Sequence, residues 1–314
     1  MHKSVLLNEC LENLKLKDDS IVVDATLGYG GHSSHILQVI KDGYLYCFDQ
    51  DIDAINFSNQ RLKQIGNNFE IINSNFENIK ERLNEREVNK VDGILFDLGV
   101  SSPQLDQEER GFSFHNNARL DMRMDKSTKI SAYEIVNEYS QNELVNIFYK
   151  YGEEKYASSI AKNIVKNRKD RKIETTLELV EIIKESVPEK YKREKHPARK
   201  VFQAIRIEVN NELEVFENAL NQALELINIG GRICVITFHS LEDRICKTIF
   251  KNVSEVDKAL QKLPIIPEEY LPKYKVIGSF TPTKEELNEN KRSRSAKLRV
   301  IERIRWLLWQ EKEE

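Results

Sequence analysis

Ile21-Val22-Val23-Asp24-Ala25-Thr26-Leu27-Gly28-Tyr29-Gly30-Gly31-His32-Ser33 is the stretch on which the fold turns. A short β-branched run ends on a carboxylate, a glycine-rich turn follows, and the chain then takes on helical character through Ile40. The same alternation repeats outward. Tyr44 to Phe48 ends at Asp49, a helix is expected from about Ala54 to Gln64, Phe69 to Ile72 forms the next apolar run, another helix follows Phe76, and Gly93 to Phe96 ends at Asp97. Apolar runs separated by helices predict a parallel sheet, because parallel neighbours need a crossover that returns the chain to the same edge. The expected class is α/β, a doubly wound sheet with helices on both faces.

After Asp97 the rhythm stops until Phe202. Helices are expected near Gln141 to Tyr149, Glu154 to Lys166 and Thr175 to Ser186, the last with Thr175 or Thr176 as N-cap and Glu178 in its first turn, and no strand is expected there. Phe202, Ile205, Val209, Leu213, Phe216, Leu220, Leu224 and Ile227 then recur at three- or four-residue steps, which predicts one long helix. A strand from Ile233 to Phe238 follows the Gly230-Gly231 stop signal, and Tyr274 to Phe280 and Ala296 to Ile304 read as a final pair. The economical architecture is a sheet domain of residues 1–105 and 201–314, interrupted by an all-helical insertion at 106–200.

Composition narrows the class. Among 314 residues, 48 Lys+Arg stand against 51 Asp+Glu, which excludes a uniformly basic nucleic-acid glove, and 40% hydrophobic residues exclude wholesale disorder. No apolar run reaches the roughly 18 residues of a membrane-spanning helix, and the N-terminus lacks a signal-like core, so a soluble cytoplasmic protein with no membrane partner is expected. Cys10, Cys47, Cys234 and Cys246 lie too far apart for a metal knuckle and predict buried free thiols, with no metal site.

Open α/β sheets bind ligands outside the carboxyl ends of their strands. Gly28, Gly30 and Gly31 would let a ligand approach the backbone at a helix start, although Ser33 replaces the third glycine of the dinucleotide fingerprint. Asp49 can accept hydrogen bonds from ribose hydroxyls, while Asp51 can cap the next helix. Together they indicate a nucleoside cofactor, either a nicotinamide dinucleotide or S-adenosylmethionine. The segment DLGVSSPQLD, Asp97 to Asp106, favours the second. Hydride transfer has no evident use for a carboxylate there. A methyl acceptor must be aligned and lose a proton, and Asp97 could hold an amine, bind the methionine part of the cofactor, or cap a loop.

HKSVLLNE at residues 2–9, DATLGYGGHS at 24–33, DLGVSSPQLD, RGFSF at 110–114, LDMRMD at 120–125, YGEE at 151–154, FQAIRIEVNNEL at 202–213, GGRICVITFHSLEDR at 230–244 and RSAKLRV at 294–300 run in one order. The chain thereby resembles the ribosomal small subunit methyltransferase H family over nearly its whole length. The resemblance implies a Rossmann-like methyltransferase domain with a helical insertion that recognises substrate. It implies S-adenosylmethionine as cofactor, direct transfer of its methyl to N4 of a cytidine in 16S ribosomal RNA, and cofactor contacts at Gly30, Gly31, His32, Asp49, Phe76, Asp97 and Gln104. Where the family has HPATRTFQALR this chain has HPARKVFQAIR, so Arg199 and Lys200 stand at the Thr-Arg positions, and Arg119 stands where a proline commonly precedes LDMRMD. The chain also lacks the (D/N/S)-P-P-(Y/F/W) signature of many amino-group methyltransferases.

A cytosine amine is reached only on an unpaired or flipped base, usually held between apolar or aromatic side chains. Phe112, Phe114 and His115 are candidates for that, and His239 and Ser240 for groups beside the reacting base, alternatively for loop and cap residues; Glu242 and Asp243 suit the first turn of the helix that follows. Charge is segregated: residues 1–110 hold 11 basic and 19 acidic side chains, residues 111–200 hold 19 and 14, and residues 201–314 hold 18 and 18. Arg199 and Lys200 in the run from Lys190 to Lys200, and Arg292 and Arg294 in the run from Lys291 to Arg305, are the expected contacts to small-subunit RNA phosphates. Trp306 and Trp309 lie in an extension expected to pack on the body. A homodimer is left open. The competing classes are a nucleotide-dependent oxidoreductase and a non-catalytic ribosome-assembly factor.

Overall fold

The computed structural model describes residues 4–305 apart from Lys195, Lys258, Leu263 and Ile265; Trp306 and Trp309 lie outside the described residues. The chain forms two compact units, one of residues Met1–Gly99 and Leu213–Glu314, the other of Val100–Glu212. The second unit is longer at both ends than the 106–200 expected.

The first unit is built on strands β1 (Ile21–Asp24), β2 (Tyr44–Asp49), β3 (Phe69–Asn73), β4 (Val91–Asp97), β5 (Ile227–Thr237), β6 (Tyr274–Phe280) and β7 (Lys297–Arg303). They form one sheet in the order β3-β2-β1-β4-β5-β7-β6. β1 to β5 pair in parallel, while β7 runs antiparallel to both β5 and β6. The order reverses between β1 and β4, so the crevice at a topological switch point opens beside Asp24 and Asp97. Alternate residues feed two cores. Val23, Ile94, Phe96, Ile233 and Val235 enter one with Phe216 and Phe250, whereas Val22, Leu95, Cys234 and Ile236 enter the other with Leu6 and Ile36. All four cysteines are buried and free, as their spacing predicts.

Two sequence expectations need correction. The long helix is two helices, Ala198–Asn210 and Glu212–Leu226, because Asn211 adopts a left-handed conformation at φ +48°. Asparagine tolerates that conformation, and Arg206 staples the break with a bidentate bond to Glu212 at 2.7 and 2.8 Å. Ile227 then starts β5 and does not end a helix. The Gly230-Gly231 pair lies inside that strand, with Gly230 at φ +83° and a register irregularity opposite Val91 and Gly93; it marks a bulge in the strand, where a stop was expected.

The helical unit contains Ser102–Asp106, Ala132–Glu138, Gln141–Lys150, Ala157–Asp170, Thr176–Glu185, Glu189–Glu194 and Ala198–Asn210. Ser131, Ser140 and Thr175 each close a capping box with the glutamate three residues on, so three helices start where the sequence carries the S/T-x-x-E signature. Their apolar faces meet around Phe148, Ile160, Ile164, Ile183 and Ile205. The Thr175 cap is as expected; Ala132–Glu138 is a short helix the apolar periodicity does not announce. No described helix is long and apolar enough to cross a membrane.

Candidate active site

The turn after β1 is fastened by its own polar groups. Asp24, almost fully buried, accepts bonds from the Thr26 amide at 3.1 Å and the Ser33 hydroxyl at 2.6 Å, which tie the strand end to the first turn of the helix Gly31–Val39. Burial raises its carboxyl above the usual range despite those bonds. Gly30 caps the helix at φ +72°, and a side chain on Gly31 would collide with the Ser4 hydroxyl, 2.0 Å from an ideal Cβ. Accommodating one would require the Ser4 hydroxyl to rotate away, since the Ser4 Cβ lies 3.4 Å off.

Asp49 ends β2. Its two oxygens accept the Gly28 amide at 2.7 Å and the Asp51 amide at 2.8 Å, so the carboxyl pins the glycine-rich turn. Burial pushes it up to about 7 against the pull of those amides. Each oxygen keeps a lone pair for a further donor such as a ribose hydroxyl. Asp51 caps the helix Ile52–Leu62 through the Asp53 amide at 3.1 Å. Phe76, half-buried just past β3, meets Phe96 edge-on with centroids 5.8 Å apart, and Phe96 in turn meets Phe216.

Asp97 ends β4. The Thr26 hydroxyl accepts its amide at 2.6 Å, which joins the two strand tips. Its Oδ2 lies 3.5 Å from His32 Nδ1, and its Oδ1 is sealed from solvent without a hydrogen-bond partner. Burial, then the charges of Asp24 and Glu242, push the carboxyl up to about 8. His32 is held from its other nitrogen, Nε2, by the Val5 carbonyl at 3.0 Å, and burial lowers its imidazole to about 4. The carboxyl ends of β1, β2 and β4 thus gather three acids and a neutral imidazole. An acceptor without a donor, among like charges, fits a ligand that brings a cation or N–H groups.

Other expected residues are placed differently. His239 is the N-cap of the helix Ser240–Ser254: its Nδ1 accepts the Glu242 amide at 3.4 Å, and Glu242 Oε2 accepts the Phe238 and His239 amides at 2.7 and 3.2 Å. His239 Nε2 lies 3.0 Å from Glu242 Oε1 but out of line for a hydrogen bond. His239 and exposed Ser240 therefore build the helix start, the second of the two expected roles. Asp243 anchors that helix to β7 through Arg299 at 2.6 Å and Lys297 at 3.2 Å. Two cations of the C-terminal basic run are thereby committed within the fold, whereas Arg292 and Arg294 are exposed.

Within the helical unit, Gln104 is buried and its Oε1 accepts the Ser101 amide at 3.0 Å, closing its own loop. Phe112 is 7% exposed and belongs to the core, with the Arg110 guanidinium 5.8 Å from its ring centre, so it is a packing residue and not a surface for a base. Phe114 is half-buried and stacked on His196 at 4.5 Å, with exposed His115 against it at 4.4 Å. Lys200 donates to the Glu153 carbonyl at 2.6 Å, while Arg199 is exposed. Of this basic pair only Arg199 projects a free-standing charge into solvent.

Strand order, switch point and the perturbed acids at the strand tips define a Rossmann-like fold prepared for a nucleoside cofactor that carries positive charge. The chain belongs to the MraW methylase family, whose model matches residues 1–304. It is 52% identical over 307 residues to the ribosomal RNA small subunit methyltransferase H of Exiguobacterium sibiricum, covering 97% of this chain and 98% of that protein. Among solved structures it is similar to an rRNA methylase from Streptococcus thermophilus, with 14% identity, coverage of 97% of this chain and 99% of that one, and a TM-score of 0.44. A methyltransferase homolog from Pyrococcus horikoshii gives 13% identity, coverage of 96% and 67%, and a TM-score of 0.43.

Three participants escape a reading of motifs. Asp24 is legible as a strand-end acid but not as a buried neighbour of Asp97. Glu242 sits in the TFHSLEDR motif, where its first-turn position suggests a helix dipole role and not a charge facing Asp97. The Val5 carbonyl carries no side-chain signal at all; only the motif HKSVLLNE at the other end of the contact hints that this segment is constrained.

Proposed function

We propose that this chain methylates the N4 amine of a cytidine in small-subunit, 16S, ribosomal RNA with S-adenosylmethionine as donor. The observation that carries the reading is Asp97, a carboxyl at the tip of β4 with one sealed and unpartnered oxygen, next to the glycine-rich turn and the Asp49 carboxyl. Family membership and the near full-length match to a small subunit methyltransferase support it. When bound, S-adenosylmethionine supplies a methyl already activated on a sulfonium. Asp49 would accept the ribose hydroxyls, the Phe76 ring would pack on the adenine, and the Gly30-Gly31 backbone would hold the methionine part. Asp97 would hold positive charge or the amine N–H groups and so help to position the acceptor.

The helical unit contributes surfaces to RNA. Exposed His115 beside Phe114 offers a ring for an unstacked base, and exposed Arg199, Arg292 and Arg294 offer cations to phosphates. Arg199 projects its charge into solvent, where it can exchange counterions for phosphate, whereas Lys200, Lys297 and Arg299 already serve internal partners. The test is transfer of labelled methyl to purified small subunits followed by nucleoside mapping. One N4-methylated cytidine is expected; label on another base or atom, or none, would overturn the assignment.

A further inference from the structure

His32 and Asp97 meet in a way that ordinary packing does not require. The Val5 carbonyl can only accept, so the His32 Nε2 that faces it at 3.0 Å carries the hydrogen. Nδ1 then presents a lone pair toward Asp97 Oδ2 at 3.5 Å, slightly longer than a good hydrogen bond. An ionised carboxylate there would set lone pair against lone pair, and a small torsion of the carboxyl would close the gap if one proton lay between them.

We propose that His32 and Asp97 hold a single proton between them in the ligand-free protein, and that binding of the cationic cofactor expels it to solvent. His32 is the positioning residue: it sets the aim of the Asp97 carboxyl and stabilises its protonated form until the ligand's positive charge replaces the proton. Charge balances, since one H⁺ leaves as one unit of positive charge enters beside the carboxylate.

The surroundings agree. Asp97 faces Asp24 from the end of β1, Glu242 from the helix Ser240–Ser254 and the Cys10 thiol from the helix Leu7–Leu14; His32 faces His35 on its own helix. None of these supplies a fixed positive charge, and no described Lys or Arg pairs with Asp97. The carboxyl is raised to about 8 and the imidazole lowered to about 4, both in the direction of one retained proton on the pair. Two groups in such contact titrate as a pair, so the proton belongs to both whichever atom carries it.

Two measurements test this. In the ligand-free wild type, imidazole ¹⁵N and carboxyl ¹³C resonances are followed across pH; His32 and Asp97 should respond at one shared midpoint, with hydrogen on Nε2 throughout. Independent midpoints, or hydrogen on Nδ1 alone, would overturn the shared proton. Calorimetry of S-adenosylmethionine binding at pH 7 in buffers of different ionisation enthalpy then counts protons, and the wild type should release about one more than Asp97→Asn. Using the difference removes any release from Asp49, and equal counts would overturn the expulsion. His32→Gln, which keeps an acceptor, should shift the pH dependence of binding less than His32→Leu; equal shifts would overturn the positioning role. The cofactor half rests on the function proposed above: absence of binding would overturn that reading and the expulsion with it, while the titration decides the shared proton by itself.

Discussion

The strand tips of the sheet unit and the interior of the helical unit treat charge in opposite ways. In the sheet unit, Asp24, Asp49, Asp97 and His32 are withdrawn from water with backbone groups, hydroxyls or, at one Asp97 oxygen, nothing as partners, and their ionisation is displaced as a result. In the helical unit, buried polar groups are matched inside the unit. Glu154 accepts the Tyr156 amide at 2.9 Å and the Tyr191 hydroxyl at 2.6 Å, Arg110 donates to the Arg123 and Met124 carbonyls, and Asp121 is held below the usual carboxylate range by the Arg123 guanidinium. His196 Nδ1 is an exception there, buried and unpartnered. Matched burial stabilises a fold; unmatched burial costs stability and persists where a ligand completes the set. Under the proposed function, the unmatched groups would serve the chemistry and the matched interior of the helical unit would serve as scaffold.

The contrast is broken most directly at Asp97. Asp97→Ala should lower single-turnover methyl transfer by about 10²–10³-fold, the scale of removing one group aimed at a reacting centre. A rate within threefold of wild type would show that the unmatched carboxyl serves something else. Asp49→Ala should weaken S-adenosylmethionine binding by roughly 10–100-fold, as for loss of hydrogen bonds to a charged acceptor, measured by equilibrium titration.

Stability should respond in the opposite sense. The Asp97 carboxyl sits near 8 in the folded protein and about 3.9 unfolded, so between those values the folded state binds the extra proton. The folded state therefore loses stability as pH rises through this window, and the full penalty is reached above 8. Asp97→Asn removes it. Its side chain is 27% exposed, which moderates the effect, and the variant should be more stable than wild type by about 1–3 kcal/mol at pH 8 and nearly equal at pH 4 in urea melts. A variant less stable at pH 8 would contradict the unmatched burial.

In the helical unit, Thr175→Ala should destabilise by about 1 kcal/mol through loss of the cap on Thr176–Glu185, with S-adenosylmethionine affinity unchanged. Altered affinity would break the division of labour. The smallest effect is expected from Arg199→Ala, which should reduce the salt dependence of RNA binding by about one unit of slope without affecting cofactor binding.

Much of the sheet was legible because β1, β2 and β4 end on visible carboxylates and the helices between the first strands carry their own periodicity. β1 to β4, β6 and β7 fall within a few residues of the expected runs. The break at Asn211 was not legible, since the apolar period continues across it: Phe202, Ile205, Val209 and Phe216, Leu220, Leu224 keep helical spacing although they serve different cores. Phe112 and His239 show the same limit at the level of single residues. A ring or an imidazole in a functional motif looks identical in sequence whether it faces a ligand, a core or a helix end.

Local periodicity and residues close together in the chain were enough to fix the class of sheet, the interruption by helices, the Thr175 helix start and the acids at the tips of β1, β2 and β4. It took the folded chain to show which acids lack partners, that Lys200 is engaged while Arg199 is not, and that a carbonyl at Val5 dictates which nitrogen of His32 meets Asp97. Those facts arise between residues far apart in sequence, where desolvation and hydrogen-bond direction are settled by packing and leave no periodic trace.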